Sequence, residues 1–468
     1  MSGGQFFILL VNFLANIVLA RILGPTEFGR IGLIMFFVSV SNVLIEGGLG
    51  GAIVRKKVVT SNDYSTVFVF NLLISIFIAL VFVVFSDGIG SFFDDDELGG
   101  LLALSSTIIL INAFQVTQNA RLLRELKFKE RSLFRFLSTL LGSCIGVLLG
   151  YLGYGVWSLI WIQISSAAFL LLFYSISQRF FLSFRFDVVS FKALYGFGIN
   201  TTLATFINTA FENLYQVILA TYFSFEKVGF YYQAKKLQDV PNGIVNVFTQ
   251  NVLFSTLAKL QDDKEMFLSY YQRIQIFMIA ILGLITTIIF SFSDQLVLIF
   301  FGNKWLESAH FMKILTWASL FFYAEVINKV IFKVFDKTRQ LLYLEFVKKG
   351  FLSIFIALGV FFRDIDLMLY GLGIANLFSY IINIFLTNRI IDQNLRFTFR
   401  NLGLIILSMI LSVIAVHFLL SWMNSEGYLS IILLPVLIGI YVISLRALGV
   451  IDLIATSRQI IGKFGFNK

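Results

Sequence analysis

Residues 64–85 read YSTVFVFNLLISIFIALVFVVF, 22 consecutive residues without a charge. At 1.5 Å of rise per residue, a helix of that length extends about 33 Å and crosses the roughly 30 Å hydrocarbon core of a bilayer. On its N-terminal side stand Arg55, Lys56 and Lys57; on its C-terminal side stands the acidic run Asp94, Asp95, Asp96, Glu97. Working outward in both directions, the same reading gives fourteen spans: 4–23, 28–53, 64–85, 98–119, 133–152, 156–176, 194–222, 228–255, 274–293, 308–332, 343–362, 367–387, 402–422 and 428–448. Basic residues collect in every second gap. The even-numbered gaps and the C-terminal tail hold 28 of the 36 Lys and Arg: three around Arg55, six from Arg121 to Arg135, three from Arg179 to Lys192, three from Lys259 to Arg273, six from Lys329 to Lys349, three from Arg389 to Arg400 and four from Arg446 onward. The odd-numbered gaps hold six. Because cytoplasmic loops retain Lys and Arg, both termini are expected in the cytoplasm.

Composition sets the same class. With 58% hydrophobic and 13% charged residues, the chain has too little polar surface to cover a soluble protein of 468 residues. The net charge of +9 is dispersed over seven separate segments and forms no stripe for nucleic acid; topology accounts for it. Cys144 is the only cysteine and forms no internal disulfide, and His310 and His417 lack metal-ligand spacing, so neither a metal nor a cofactor is expected. The N-terminus enters the first span almost at once, without a basic leader segment or a small-residue cleavage site. It reads as an uncleaved anchor, with room for basic residues upstream. There is no Gly-x-x-x-x-Gly-Lys-Ser/Thr, His-Glu-x-x-His or Gly-x-Ser-x-Gly motif, and the odd gaps are too short to house an active site, so the chain reads as a transporter and not an enzyme. Asp364-x-Asp366 has the form of a metal-nucleotide-sugar motif but sits in a loop of a few residues. The run from Asp94 to Glu97 reads as a solvated turn.

An internal repeat divides the spans. Leu19-Ala20 recurs as Leu219-Ala220 and Gly29 as Gly229, each at an offset of 200. At that offset Asn12 and Asn16 answer to Glu212 and Gln216, and the i, i+4 spacing places each pair on one helix face. The expected organisation is an N-lobe over 1–176, a cytoplasmic linker over 177–193, a second lobe over 194–390, and the last two spans with a cytoplasmic tail over 391–468. Gly142, Gly146 and Gly150, four apart, read as a close helix–helix contact. Pro241 in the eighth span marks a hinge, a cavity or a packing kink; Pro435 falls inside the last span.

Charges inside spans are the candidates for function. Lys235 and Lys236 lie about nine residues into the eighth span, roughly 14 Å from its outer end. A lysine at the bilayer centre costs about 2.5–3.5 kcal/mol, so these side chains are expected to face a hydrated cavity or a partner. Asp239 is placed to neutralise one of them within the helix; the remaining charge would attract an anion. Glu212, with Asn208 and Gln216 on its face, reads either as a partner of those lysines or as an ion-coupling or substrate contact. Glu46 precedes Gly47, Gly48, Gly50 and Gly51, which read as a site of close helix approach. Glu325, Lys329 and Lys333 form a stripe at i, i+4 and i+8, with Lys333 expected to reach toward the cytoplasm. Arg21 is an interfacial anchor or an outer-cavity cation. Gln233 and the pair Asn12 and Asn16 complete the polar groups available to a substrate, and Glu212, Glu46, Asp239 and Glu325 are the candidates for ion coupling.

Four phrases carry a resemblance: LARILGPTEFG at 19–29, RLLRELKFK at 121–129, GYGVWSL at 153–159, and VGFYYQA at 228–234 running on to Pro241. They resemble the polysaccharide flippases of the multidrug/oligosaccharidyl-lipid/polysaccharide superfamily, and are most similar to the Wzx-type branch that includes colanic-acid and related exopolysaccharide exporters. The resemblance implies an all-α integral membrane fold, MATE/MurJ-like, with two pseudo-symmetric six-helix lobes around a central cavity and two further C-terminal helices. It implies a multi-pass protein of the bacterial cytoplasmic membrane that translocates an undecaprenyl-pyrophosphate-linked oligosaccharide repeat unit by alternating access. Arg21, Lys235 and Lys236 would hold the head group, and Glu212 or Glu46 would titrate in an ion-coupled cycle. Members of this family often have arginine in the eighth helix; Lys235 and Lys236 keep the charge but not the bidentate fork. The implied partners are the lipid-linked oligosaccharide, membrane lipid, and the polymerase and chain-length machinery of the same polysaccharide. A lipid II flippase, a cation or drug antiporter of the same superfamily, and a membrane polymerase or ligase are the competing readings. Two adjacent lysines would repel a cation, and a polymerase would be expected to show a long outward loop.

Overall fold

A chain inside a bilayer must satisfy its own backbone N–H and C=O groups, and the helix does so within one segment. The computed structural model, which describes residues 2–178, 184–393, 395–422 and 428–451, is accordingly helical, with no strand among those residues. Residues 179–183 of the expected linker, with Arg179, residues 423–427, and those beyond 451, with Arg458, Lys463 and Lys468, lie outside the described residues. In chain order the helices are α1 (Ser2–Ile22), α2 (Pro25–Glu46), α3 (Leu49–Arg55), α4 (Ser61–Phe92), α5 (Asp96–Arg124), α6 (Phe128–Tyr151), α7 (Trp157–Gln178), α8 (Val188–Tyr222), α9 (Phe225–Phe248), α10 (Phe254–Lys259), α11 (Lys264–Ser291), α12 (Ser293–Phe300), α13 (Leu306–Val334), α14 (Thr338–Phe362), α15 (Ile365–Ile391), α16 (Leu395–Trp422) and α17 (Leu434–Ala447).

Eleven segments among the described residues are long and apolar enough to cross a membrane. The other three expected spans coincide with α8, α9 and α14, which have the length but carry the intramembrane charges and amides: Glu212 and Gln216 on α8, Lys235, Lys236 and Asp239 on α9, and Glu345, Lys348 and Lys349 on α14.

Three spans differ from their expected form. The second is broken: α2 stops at Glu46 because Gly47 and Gly48 both take the left-handed conformation, at φ 52° and 60°, and α3 starts anew. Two successive residues of that hand cannot continue a right-handed helix. The glycine run makes a helix break; close approach is kept at Gly47, where a Cβ would stand 3.2 Å from the Phe70 ring, while nothing lies within 4 Å of one on Gly51. In the eighth span α9 runs through Pro241, and a π-helical turn at Thr249–Leu253 separates it from α10. Pro435 lies in the first turn of α17, after a 3₁₀ segment at Tyr428–Leu433, where its missing N–H leaves no bond unmade.

The helices fall into two compact units, Met1–Tyr232 and Gln233–Lys468. In the first, α4 packs on α5, α6 on α7, and α1 on α6, while α8 packs on α2, α3 and α4. From the sequence, α8 opens the second lobe; its packing partners here are helices of the first unit. The expected glycine seam on α6 is present. A Cβ on Gly142 would meet Ser166 and one on Gly146 would meet Ile162, both on α7, while Gly150 lies against Leu19 of α1. The two glycines of the repeat touch the same crossing. A Cβ on Gly29 would stand 1.8 Å from the Phe225 carbonyl oxygen, and one on Gly229 would stand 1.9 Å from the Pro25 carbonyl oxygen. Pro25 and Phe225 are themselves 200 apart, so the contact maps onto itself, as contacts across a two-fold axis do.

In the second unit α13 is the most deeply buried of the candidate spans. It packs against α15 and α11, with α14 against α15 and α16 against α11 and α17. Tyr271, Tyr323, Tyr380 and Tyr441 fill its core, and the Tyr441 hydroxyl donates to the Ala280 carbonyl at 2.8 Å.

Candidate functional site

Both units hold polar side chains gathered among their apolar helices. In the first unit they surround a cavity of about 280 Å³ between α2, α5, α6 and α7. Amide pairs frame it: the Asn112 side chain donates to Asn42 Oδ1 at 3.0 Å, and Gln115 donates to the Ala167 carbonyl at 2.8 Å. Arg131 and Arg135, one turn apart, share a face of α6. Arg131 donates through Nε to Asn119 Oδ1 at 2.6 Å. Arg135 makes no ion pair among the described residues, although Glu46 and Tyr174 both lie within reach of its field. Tyr174 is 1% exposed, its ring set edge-on to Phe134 at 6.2 Å, and its hydroxyl meets no hydrogen-bond partner among the described residues. Asn119 is five residues from the end of α5 and Arg131 three from the start of α6, so one end of the cavity lies within about 8 Å of the basic helix ends.

The second unit holds a closed charge cluster. Glu325 on α13 is fully buried; it accepts from Lys329 at 2.7 Å, from Lys348 of α14 at 2.7 Å and from the Ser379 hydroxyl of α15 at 2.7 Å. Lys329 also pairs with Glu345 at 2.5 Å, and the Lys348 ammonium stands 5.5 Å from the centre of the Phe322 ring. Two acids and two lysines thus neutralise one another across α13 and α14, with α15 contributing the hydroxyl. The expected stripe is divided: Lys333 leaves it and donates to Gln250 Oε1 at 2.9 Å. Lys235 and Lys236 are half-buried on α9; Asp239 is exposed, lies in the field of both and takes a hydrogen bond from Asn242. Gln233 is fully buried, and Gln238 ties α9 to α13 by donating to the Leu315 carbonyl at 2.9 Å and to the Ser319 hydroxyl.

The remaining sequence candidates are all in the first unit. Asn12 and Arg21 are exposed on α1, with Asn16 half-buried between them; on α8, Glu212 and Asn208 are exposed and Gln216 is buried. Of the acids singled out, Glu46 lies in the α2–α7 cavity and Glu325 in the charge cluster. Sequence reasoning did not single out Arg131, Arg135, Tyr174, Glu345 or Lys348. The arginines had been counted only toward topology, although Arg135 already fell within the fifth expected span. Outside the spans, Asp95 is not a solvated turn residue. It is 8% exposed, pairs with Arg30 at 2.7 Å and caps α5 by accepting from the Leu98 N–H at 3.0 Å. Asp364 caps α15 and Asp366 pairs with His310 at 2.8 Å, which gives both acids structural roles. Glu125, between α5 and α6, is held below the usual carboxylate range by hydrogen bonds from Lys127 and Arg121.

The chain has the fold of solved transporters of this superfamily. It superposes on the lipid II flippase MurJ in an inward closed conformation with a TM-score of 0.73, covering 96% of this chain and 97% of that one at 14% identity. An inward-facing multidrug resistance transporter of the MATE family gives 0.60, over 82% and 94% of the two chains at 16% identity. In sequence it is 27% identical over 307 residues to the succinoglycan biosynthesis transport protein ExoT of Rhizobium meliloti, 63% of this chain and 60% of that one. It is 24% identical over 295 residues to the lipopolysaccharide biosynthesis protein WzxC of Escherichia coli, 62% and 59% of the two chains. The chain thus spans about three fifths of the curated relatives it matches. Of these, ExoT is named a transport protein, MurJ a flippase and the MATE protein a transporter. Residues 18–310, more than half of the chain, match the polysaccharide biosynthesis protein family, and the chain belongs to that family.

Proposed function

We propose that this protein is a flippase that carries an undecaprenyl-pyrophosphate-linked oligosaccharide repeat unit from the inner to the outer leaflet of the bacterial cytoplasmic membrane, by alternating access of two repeated lobes. The observation that carries the reading is the pair Lys235 and Lys236, half-buried midway along a membrane-length helix of a polysaccharide biosynthesis protein. Charge at that depth is retained where it has an anion to hold, and a lipid pyrophosphate is such an anion. Its sugars suit amides and hydroxyls, and its prenyl chain stays in lipid. A cation or drug antiporter is disfavoured by the same two lysines. On this reading the basic helix ends, and both termini, face the cytoplasm. The first-unit cavity then opens near the leaflet where the substrate is made, and the polymerase and chain-length machinery receive it on the other side.

The test is the leaflet distribution of lipid-linked oligosaccharide in cells lacking the protein and in cells restored with it. Accumulation on the cytoplasmic leaflet, cleared by the wild-type chain but not by the Lys235→Ala/Lys236→Ala double variant, is expected. Accumulation of lipid II in place of the oligosaccharide, or an unchanged pool with altered resistance to cationic drugs, overturns it.

A further inference from the structure

The cavity of the first unit has a charge and a size that together select a ligand. We infer that it is a binding site for a single acidic sugar, held through its carboxylate by Arg131 and Arg135. This inference rests on the flippase reading and narrows its substrate to repeat units bearing such a sugar.

Size comes first. About 280 Å³ is the space of about nine liquid waters, room for one sugar ring with its acid group. Charge comes second. Two guanidinium groups and the one carboxylate of Glu46 leave a single positive charge in the cavity wall. One carboxylate neutralises it, whereas a pyrophosphate would overshoot it. The geometry of the donors agrees: a guanidinium presents parallel N–H groups that match a carboxylate two to two, and Arg135 has no protein carboxylate in that position among the described residues. The rest of the wall suits a ring of hydroxyls. Glu46 accepts from them, the Asn42, Asn112 and Asn119 amides both donate and accept, and the Tyr174 ring offers an apolar face.

The Tyr174 hydroxyl is the independent sign that something polar belongs here. It is buried and lines the cavity, and it meets no hydrogen-bond partner among the described residues. A buried hydroxyl without a partner is costly, and a ligand hydroxyl or carboxylate would satisfy it.

The experiment titrates the purified full-length protein in lipid nanodiscs with three probes, D-glucuronate, D-glucose and inorganic pyrophosphate, followed by calorimetry. Glucuronate is expected to bind, with glucose about 10- to 100-fold weaker, the value of a charge-assisted hydrogen bond. Arg135→Gln, an exposed position whose change leaves the packing intact, is expected to abolish the preference for glucuronate. Arg135→Lys restores it in part, and Tyr174→Phe weakens glucuronate several-fold. Equal affinity for glucose and glucuronate, tighter binding of pyrophosphate than of glucuronate, or an Arg135→Gln variant that still prefers glucuronate overturns the inference. A cellular arm separates it from the flippase reading. In strains making a repeat unit with or without its acidic sugar, Arg135→Gln is expected to reduce export of the acidic unit alone. If the wild-type chain exports neither unit, the flippase reading fails while the binding data still decide the site.

Discussion

The crossing of α2 with the first turns of α9 makes a quantitative prediction about two glycines at once. Real Cβ atoms essentially never approach another heavy atom closer than 3.0 Å, so alanine at Gly29 forces the Phe225 carbonyl back by at least 1.2 Å, from 1.8 Å, and alanine at Gly229 forces the Pro25 carbonyl back by 1.1 Å, from 1.9 Å. Both obstacles are backbone, and neither side chain rotation nor local repacking relieves them. Overpacking of this kind costs about 1–3 kcal/mol and sometimes more. The exchange of glycine for alanine in a helix returns about 1 kcal/mol. Each single variant is therefore expected to lose up to about 2 kcal/mol, or up to about 8 °C in midpoint for a unit of this size. The double variant is the sharper test. One separation of the two helices clears both Cβ atoms, so the strain arises once while the helix-propensity gain arises twice. Gly29→Ala/Gly229→Ala is expected to be no less stable than either single variant, an interaction energy of about 1–3 kcal/mol where independent sites would add. Thermal unfolding of the purified protein in detergent, monitored by intrinsic tyrosine and tryptophan fluorescence, measures all three. Simple additivity of the two single variants would refute the mutual crossing.

Two further outcomes follow from the charges. Lys348→Met leaves Glu325 fully buried with one lysine and one hydroxyl and is expected to destabilise by about 3–5 kcal/mol, with Glu325→Gln added in the same chain recovering part of the loss; an exposed pair would cost less than about 1 kcal/mol. At the start of α8, the Asp187 carboxyl is held below its usual value by the Ser190 hydroxyl and the Ser190 and Val189 N–H groups. A depressed carboxylate stabilises above its unfolded pKa and loses that contribution as pH falls through its folded value, so protection from hydrogen exchange at 188–192, taken relative to the intrinsic rate at each pH, should fall below about pH 4 in the wild type and not in Asp187→Asn.

How much of this was legible depended on whether a signal was local. The apolar runs, the glycine seam of α6 and the alternation of basic gaps are properties of contiguous residues, and the helices stand close to where those runs placed them. Gly29 and Gly229 were found because a repeat makes a distant contact visible as a matched pair. The break at Gly47 and Gly48 was missed, since a glycine permits both close approach and left-handed backbone, and Gly47 uses both. Glu325 was legible as a buried charge, but its partners Lys348 and Ser379 come from two other helices, and no spacing along the chain announces them. Arg131 and Arg135 escaped for the opposite reason. Their basic charge had already been explained by topology, and a residue with one sufficient explanation is not examined for a second.

That overlap separates the two polar concentrations by what each can still do. Around Glu325 both carboxylate oxygens are engaged, and two acids face two lysines, so the cluster is complete without a ligand. Breaking it leaves an unpaired charge, so it ties α13, α14 and α15 together whether or not anything is transported. Around Arg135 the count of charges does not close, the wall is hollow, and a tyrosine hydroxyl is left over. Both sets of residues lie in spans, so burial and cost of insertion alone do not tell structure from function. The distinguishing property is satisfaction: a membrane-embedded charge set that balances itself is architecture, and one that balances only with an anion in place is a site.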